Sequence, residues 1–453
     1  IGDWDFYQKY LLLAIPMILQ NAITNLVSFL DNIMVGQLGT EQMSGVAIVN
    51  QLIFVYNLAI FGAVSAASIF GAQYFGKGNH KGHMYSFRFK LYATLLVTGG
   101  AILLFLTKGS ALISLYLTDT VGNGATDLAL QYGLEYLAIM MVGLIPFAVN
   151  QSYATNIKET GQTFIPMLAS FVAVGTNAIL DYLMIFGIGP FPELGVQGAA
   201  LATVIARYIE ALIVVIWAHI HRGKNRYLEG AYTGFGIPLA ELKAILIKGF
   251  PLMMNEVLWA AGMTTVTQCY SVRGLDVVAG LNIASTITNL FNIVYLQLGS
   301  CISIVVGQYL GAGKLEDAKD ADNKMIVFSV FCCVIMAALM FVVGGFFPGI
   351  YNTTEEIREL ATSFIAVSAI IMPFCAFSHA SYFTLRSGGK TVVTFLFDSV
   401  FTWVIVVPAA YLLAHFTGLG IVSIYFLVQG TELIKVIIGY LMVKSNVWVV
   451  QMV

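Results

Sequence analysis

The chain has 453 residues, of which 58% are hydrophobic and 10% charged, with a formal net charge of −2. Soluble domains carry about 25% charged residues, so this composition excludes an ordinary soluble protein and indicates an integral membrane protein. The small net charge identifies no partner by itself, and no nucleic-acid partner is expected.

The first apolar stretch, LLLAIPMILQNAITNLVSFLDNIMVG from Leu11 to Gly36, exceeds the roughly 20 residues that a membrane helix needs. It is too long for a signal-peptide core and lacks a clear cleavage motif, so no cleavable signal is expected. Pro16 interrupts it as a candidate hinge, and Gln20, Asn21, Asn25 and Asp31 place polar groups inside it. A carboxylate at the centre of a membrane helix costs about 2.5–3.5 kcal/mol on insertion scales and normally faces a cavity or a partner. Asp31 is therefore a candidate functional residue. The alternative is solvation near the outer end of the segment.

Twelve apolar segments follow one another. They cover residues 10–36, 46–75, 89–110, 128–156, 164–187 and 196–220, then 244–270, 280–310, 325–348, 360–385, 391–413 and 417–444. They do not alternate in hydrophobicity as barrel strands do, so the predicted class is an all-α membrane protein with twelve transmembrane helices. Sorting Lys and Arg by alternate loops puts seventeen on one side, among them Lys9, Lys77, Arg222, Lys314 and Lys390, and only Lys108, Arg273 and Arg358 on the other. This asymmetry assigns the first side, and both termini, to the cytoplasm of a multi-pass cell-membrane protein. The polar stretch from His221 to Leu242 is the longest cytoplasmic connection. It divides an N-terminal lobe, 1–221, from a C-terminal lobe, 243–453, through a linker, 222–242.

The halves repeat one another. Gln73-Tyr74-Phe75-Gly76-Lys77-Gly78 matches Gln308-Tyr309-Leu310-Gly311-Ala312-Gly313 at an offset of 235, which also relates Pro16 to the second candidate hinge, Pro251, and Gly45 to Gly280. Ile145-Pro146-Phe147 matches Met372-Pro373-Phe374 at a slightly smaller offset. Six helices per half is an even number, so the pseudo-symmetric six-helix lobes share one orientation, with substrate sites expected between them.

Few polar or ionisable residues lie within the spans. Asn177 and Asp181 sit one turn apart in the fifth segment, and Thr203 lies in the sixth. With Asp31 they can form a proton or cation site, because neighbouring carboxylates raise one another's proton affinity. Asp181 can also be read as an interfacial residue near a helix end, and Asn177 and Thr203 as helix-packing hydrogen bonders. In the second half, Glu256 follows Pro251 by five residues and is the main acid, with Asn282 as a candidate neighbour. Asp398 is a further candidate or a cytoplasmic-edge residue. Arg207/Glu210 and Glu432/Lys435 are three apart, the spacing of self-neutralising helix pairs.

No metalloprotease, serine hydrolase, P-loop or dinucleotide signature is present in the sequence, so no enzyme is predicted and no cofactor is expected. The five cysteines all lie in or beside apolar runs without CxxC spacing and read as packing residues.

With the segment from Pro16 to Asp31 and its continuation NIMVGQLG, the repeated Gln-Tyr-x-Gly-x-Gly, the Asn177/Asp181 pair and Gly198-Ala199-Ala200-Leu201-Ala202-Thr203, nearly the whole chain resembles the multidrug and toxic compound extrusion (MATE) family, in its NorM-like or DinF-like branch. The resemblance implies two six-helix lobes in a V shape. It implies a secondary active antiporter exporting bulky, often cationic, xenobiotics in exchange for H+ or Na+ by alternating access. It also implies that Asp31, Asn177, Asp181 and Thr203 form the ion-coupling site, with Na+ at Asp31, Asp181 or Glu256 where sodium is the ion. Members with a sodium site in the second lobe carry another acid in the tenth segment, and here FIAVSAIIMPFCAFSHASYFTLRSGGK has none. The other reading is a lipid-linked precursor flippase of the related superfamily, which needs a groove of basic residues. Small drug-like molecules and membrane lipids are the expected partners, and a monomer the expected state.

Overall fold

Each apolar segment forms a helix in the computed structural model, which describes residues 2–117 and 123–453. In chain order these are α1 (Trp4–Gly36), α2 (Thr40–Lys77), α3 (His80–Ser114), α4 (Asn123–Glu159), α5 (Phe164–Phe186) and α6 (Val196–Ile220), then α7 (Leu239–Ser271), α8 (Leu275–Gly311), α9 (Leu315–Phe346), α10 (Glu355–Ser387), α11 (Thr391–Phe416) and α12 (Ile421–Lys444). All twelve are long and apolar enough to span a bilayer. At about 1.5 Å per residue the shortest reaches ~35 Å and the longest ~57 Å, against a hydrocarbon core of about 30 Å. Most of the helices extend past the apolar segments from which they are read, α5, α6 and α12 excepted.

The chain divides into two compact units. The N unit comprises Leu19–Gly71 and His80–Leu242; the C unit comprises Ile1–Ile18, Ala72–Asn79 and Lys243–Val453. In the N unit α4 packs on α3 and α6, and α6 on α5. In the C unit α10 packs on α8, α9 and α12. The first turns of α1 join the C unit because Tyr10, Leu13, Ala14 and Met17 are buried against Leu298, Cys301 and Ile302. The Tyr10 hydroxyl also donates to the Leu298 carbonyl at 2.9 Å.

The stretch read as a linker is folded onto the N unit. Tyr227 and Leu228 are buried, and Tyr227 lies 4.9 Å from the His83 ring. Arg88, from α3, donates to the carbonyls of Ala231 (2.9 Å), Gly230 (2.7 Å) and Gly236 (2.7 Å). A guanidinium suits this position because its fan of donors can serve several carbonyls that no helix satisfies. Beneath it, fully buried Lys90 is ion-paired to Glu159 and donates to Asn156 at 2.6 Å, and His83 lies 3.0 Å from Glu159. Sequence order alone places Lys90 and Arg88 among loop charges; both are buried.

The repeated motif has a structural cause. Its last glycine, Gly78 or Gly313, takes φ +75° in both copies and closes its helix. In each, the following residue bonds back five positions, Asn79 to Tyr74 at 3.0 Å and Lys314 to Tyr309 at 3.0 Å. That is the glycine C-cap that L side chains rarely adopt. Its middle glycine permits a reciprocal crossing inside the C unit: a Cβ on Gly76 would run into the Gln308 carbonyl, and one on Gly311 into the Gln73 carbonyl. Gln73 then donates to the Ser387 carbonyl at 3.0 Å and accepts from the Met452 amide at 2.7 Å. Gly311→Ala should therefore lower the unfolding temperature of the purified protein, an overpacking effect of about 1–3 kcal/mol. Gly345→Ala, where a Cβ meets nothing within 4 Å, should not.

Candidate functional site

The N unit gathers the four predicted residues from three helices. Asp31 comes from α1, Asn177 and Asp181 from adjacent turns of α5, and Thr203 from α6. Asp181 is fully buried. Its carboxyl lies within hydrogen-bonding reach of Asp31. Yet Asp31 Oδ1 and both oxygens of Asp181 meet no protein donor among the described residues. Ionised carboxylates are acceptors only, so the two groups cannot hydrogen-bond to each other directly unless one of them carries a proton. Asn177 Nδ2 donates to Thr203 Oγ1 at 3.3 Å, and that hydroxyl donates to the Ala199 carbonyl at 3.1 Å. These amide and hydroxyl oxygens, with the carboxylates, are the hard donors that a proton or Na+ would use.

Sequence reading missed Tyr136 and Asn50. The Tyr136 phenol is buried from α4, lies in the field of both carboxylates, and donates to Asn50 Oδ1 at 3.3 Å. An aromatic in an apolar run carries no signal that separates it from packing. Gln20 donates to Ser170 at 2.8 Å, and Ser170 to Glu210 at 2.5 Å. Glu210 therefore forms no ion pair with Arg207, against the spacing rule. Arg207 lies over the Phe147 ring at 5.0 Å and donates to the Gly143 carbonyl at 3.5 Å.

In the C unit the charges acting on Glu256 are Arg386 and Asp398. Asn282 is exposed on α8, and its carbonyl accepts from Ser285 and Thr286. The amide at this end of α7 is instead buried Asn255, next to Glu256. It donates to Asp398 Oδ2 at 3.0 Å and to Tyr382 at 3.4 Å, and its own oxygen accepts from Ser399 Oγ at 2.7 Å. Lys435 does not pair with Glu432; its ammonium donates to Asp398 Oδ1 at 2.8 Å and rests over Phe397 and Phe401. Asp398 reaches these partners from a π-helical stretch, Leu396–Val400, one residue wider per turn than α-helix. Asp398 is thus an inward charge rather than an edge residue. Pro16 is buried within α1 and Pro251 half-buried within α7, each inside its helix. Among the described residues no three His, Cys, Asp or Glu side chains cluster as a metal-binding group.

The MatE family profile matches residues 16–183 and 251–412, the two repeats. The chain belongs to the MATE family. It is therefore a membrane transporter and not an enzyme. It is 23% identical over 421 residues to a probable multidrug resistance protein NorM of Thermotoga maritima, covering 92% of this chain and 88% of that protein. It is 24% identical over 413 residues to the protein of that description in Halalkalibacterium halodurans, covering 91% and 88%. Its fold is similar to an outward-facing multidrug resistance MATE family transporter of the MOP superfamily, with TM-score 0.87, 20% identity, and 98% and 96% of the two chains covered. A MOP superfamily transporter from Pyrococcus furiosus gives TM-score 0.86 at 20% identity over 98% and 96%.

The Asp398–Lys435 pair carries a test. Removing one partner of a buried pair strands the other charge, a loss of about 3–5 kcal/mol, whereas replacing both with apolar groups is often neutral. Lys435→Met should lower thermal stability sharply, and adding Asp398→Leu should restore most of it.

Proposed function

We propose that the protein is a secondary active multidrug exporter of the cell membrane, coupled to H+ or Na+ at the Asp31–Asp181 pair. The observation that carries this reading is the meeting of two carboxyls, one fully buried, of which Asp31 Oδ1 and both Asp181 oxygens meet no protein donor among the described residues. With both ionised, the pair repels across a low-dielectric interior; one bound proton lets either carboxyl donate to the other. That bond would tie α1 to α5, and Asn177 and Thr203 would orient the site. Because a ligand shifts a conformational equilibrium only by its differential affinity, the ion must bind one access state more tightly than the other. Pro16 removes a backbone donor from α1, which leaves that helix bendable as the pair joins and parts.

Substrates are taken to be bulky, often cationic, organic compounds. The family, the multidrug resistance names of the relatives, and a composition of 17 Met and 13% aromatic residues support this. The lipid-linked precursor reading would need a groove of free basic side chains within the membrane spans, where Arg207 instead lies over Phe147 and Lys435 is paired with Asp398. The Lys and Arg distribution supports a cytoplasmic position for the residues around Arg88 and Lys314. In the C unit, Glu256 with Arg386 and Asp398 would serve substrate or proton rather than a two-acid sodium site.

Ethidium efflux from vesicles, with a proton or a sodium gradient imposed in turn, tests the reading and identifies the ion. Asp31→Asn and Asp181→Asn should each abolish efflux while expression stays normal. Undiminished efflux by either variant would refute the coupling role.

A further inference from the structure

Two lysines at one end of the C unit, Lys9 and Lys314, form no ion pair among the described residues, and both line a cavity. The cavity holds about 400 Å3, within the 300–1,000 Å3 typical of small-molecule sites. Its walls include Phe6, Lys9 and Tyr10 from the start of α1, Phe75 from the last turn of α2, Tyr309 from the last turn of α8, and Lys314 where α9 begins. No acidic residue lines it among the described residues. The neighbouring lysines differ: Lys319 is bonded to Glu316 at 2.8 Å and Lys324 is ion-paired to Asp320. Lys9 and Lys314 form no such pair among the described residues and remain exposed. An ammonium needs an anionic partner or water, and here two of them flank a surface of aromatic rings. That combination fits a ligand with an anion at one end and apolar substance at the other.

The position selects the ligand further. The lining residues come from helix ends, where helices leave the hydrocarbon and where aromatic side chains settle at the headgroup level. Basic pockets between membrane helices on the cytoplasmic side take anionic lipid headgroups. The geometry points to an anionic phospholipid of the cytoplasmic leaflet bound in this cavity, its phosphate between Lys9 and Lys314 and its glycerol backbone against the rings. The reciprocal glycine crossing forms one wall, because Gly76 and Gln308 both line the cavity. Bound lipid would therefore brace the contact of α2 with α8. This inference uses the cytoplasmic placement proposed above but not the coupling site, and binding in detergent reads it separately from both.

The test is a thermal-shift titration of the purified full chain in neutral detergent. Dihexanoyl-phosphatidylglycerol, dihexanoyl-phosphatidylcholine and inorganic phosphate are the three probes. The phosphatidylglycerol should stabilise saturably and the other two should not. Lys9→Gln with Lys314→Gln should weaken it by about thirtyfold, given the usual contribution of two basic residues near an anionic headgroup. Lys319→Gln, at a paired lysine that does not line the cavity, should leave it unchanged. Ala312→Trp, which fills the cavity without altering charge, should abolish it and serves if the double lysine variant does not fold. Equal stabilisation by phosphatidylcholine, equal affinity for inorganic phosphate, or unaltered binding by the cavity variants would each overturn the proposal.

Discussion

A polar group in the hydrocarbon region has no water to fall back on, so it must find its partner inside the protein. Several buried charges here obey that constraint. Glu159 has Lys90 and His83; Asp398 has Lys435 and Asn255; Arg88 has three backbone carbonyls. Arg273 does the same in the C unit, donating to the carbonyls of Ala414 in the last turn of α11 and of Thr417 and Leu419 beyond it. In the Asp31–Asp181 pair, by contrast, two carboxyls meet, and Asp31 Oδ1 and both Asp181 oxygens find no protein donor among the described residues.

Duplication gave the two halves one framework and different chemistry. The Gln-Tyr-x-Gly-x-Gly copies share a helix cap and a backbone-close crossing, both of which depend on the absence of a Cβ. Among the described residues, the N unit's acids on α1 and α5 form no ion pair. The C unit's acids on α7 and α11 lie among Lys435 and Arg386, and α10 contributes Tyr382 and Arg386 in place of an acid. A charge-balanced cluster holds its protons and ions differently from an unbalanced pair. The π-helical turns of α11 are the local device that separates them, since they rotate Asp398 toward Asn255 and Lys435.

Length and charge govern the outer ends of the molecule. Near the helix ends Arg88 gathers the polypeptide between α6 and α7, and Gln73 gathers the segment around Val450. These straps use side-chain donors on loop carbonyls, because loops leave backbone acceptors that no helix completes. The aromatic cavity with Lys9 and Lys314 is likewise lined by residues near the ends of α1, α2, α8 and α9.

Apolar run length and the Lys/Arg asymmetry already specify twelve membrane helices in sequence, because burial in lipid acts on each segment by itself. The motifs likewise point to the family, and Asp31, Asn177, Asp181 and Thr203 stand out as polar residues in apolar runs. Partners are another matter. That Asp31 meets Asp181 near Tyr136, that Lys435 chooses Asp398 over Glu432, that Asn255 and not Asn282 serves the α7 end, and that Lys90 is buried all depend on how distant helices are rotated against one another. Spacing along one helix cannot encode that rotation; it is decided by the packing of glycine faces, π turns and buried side chains contributed by the rest of the chain.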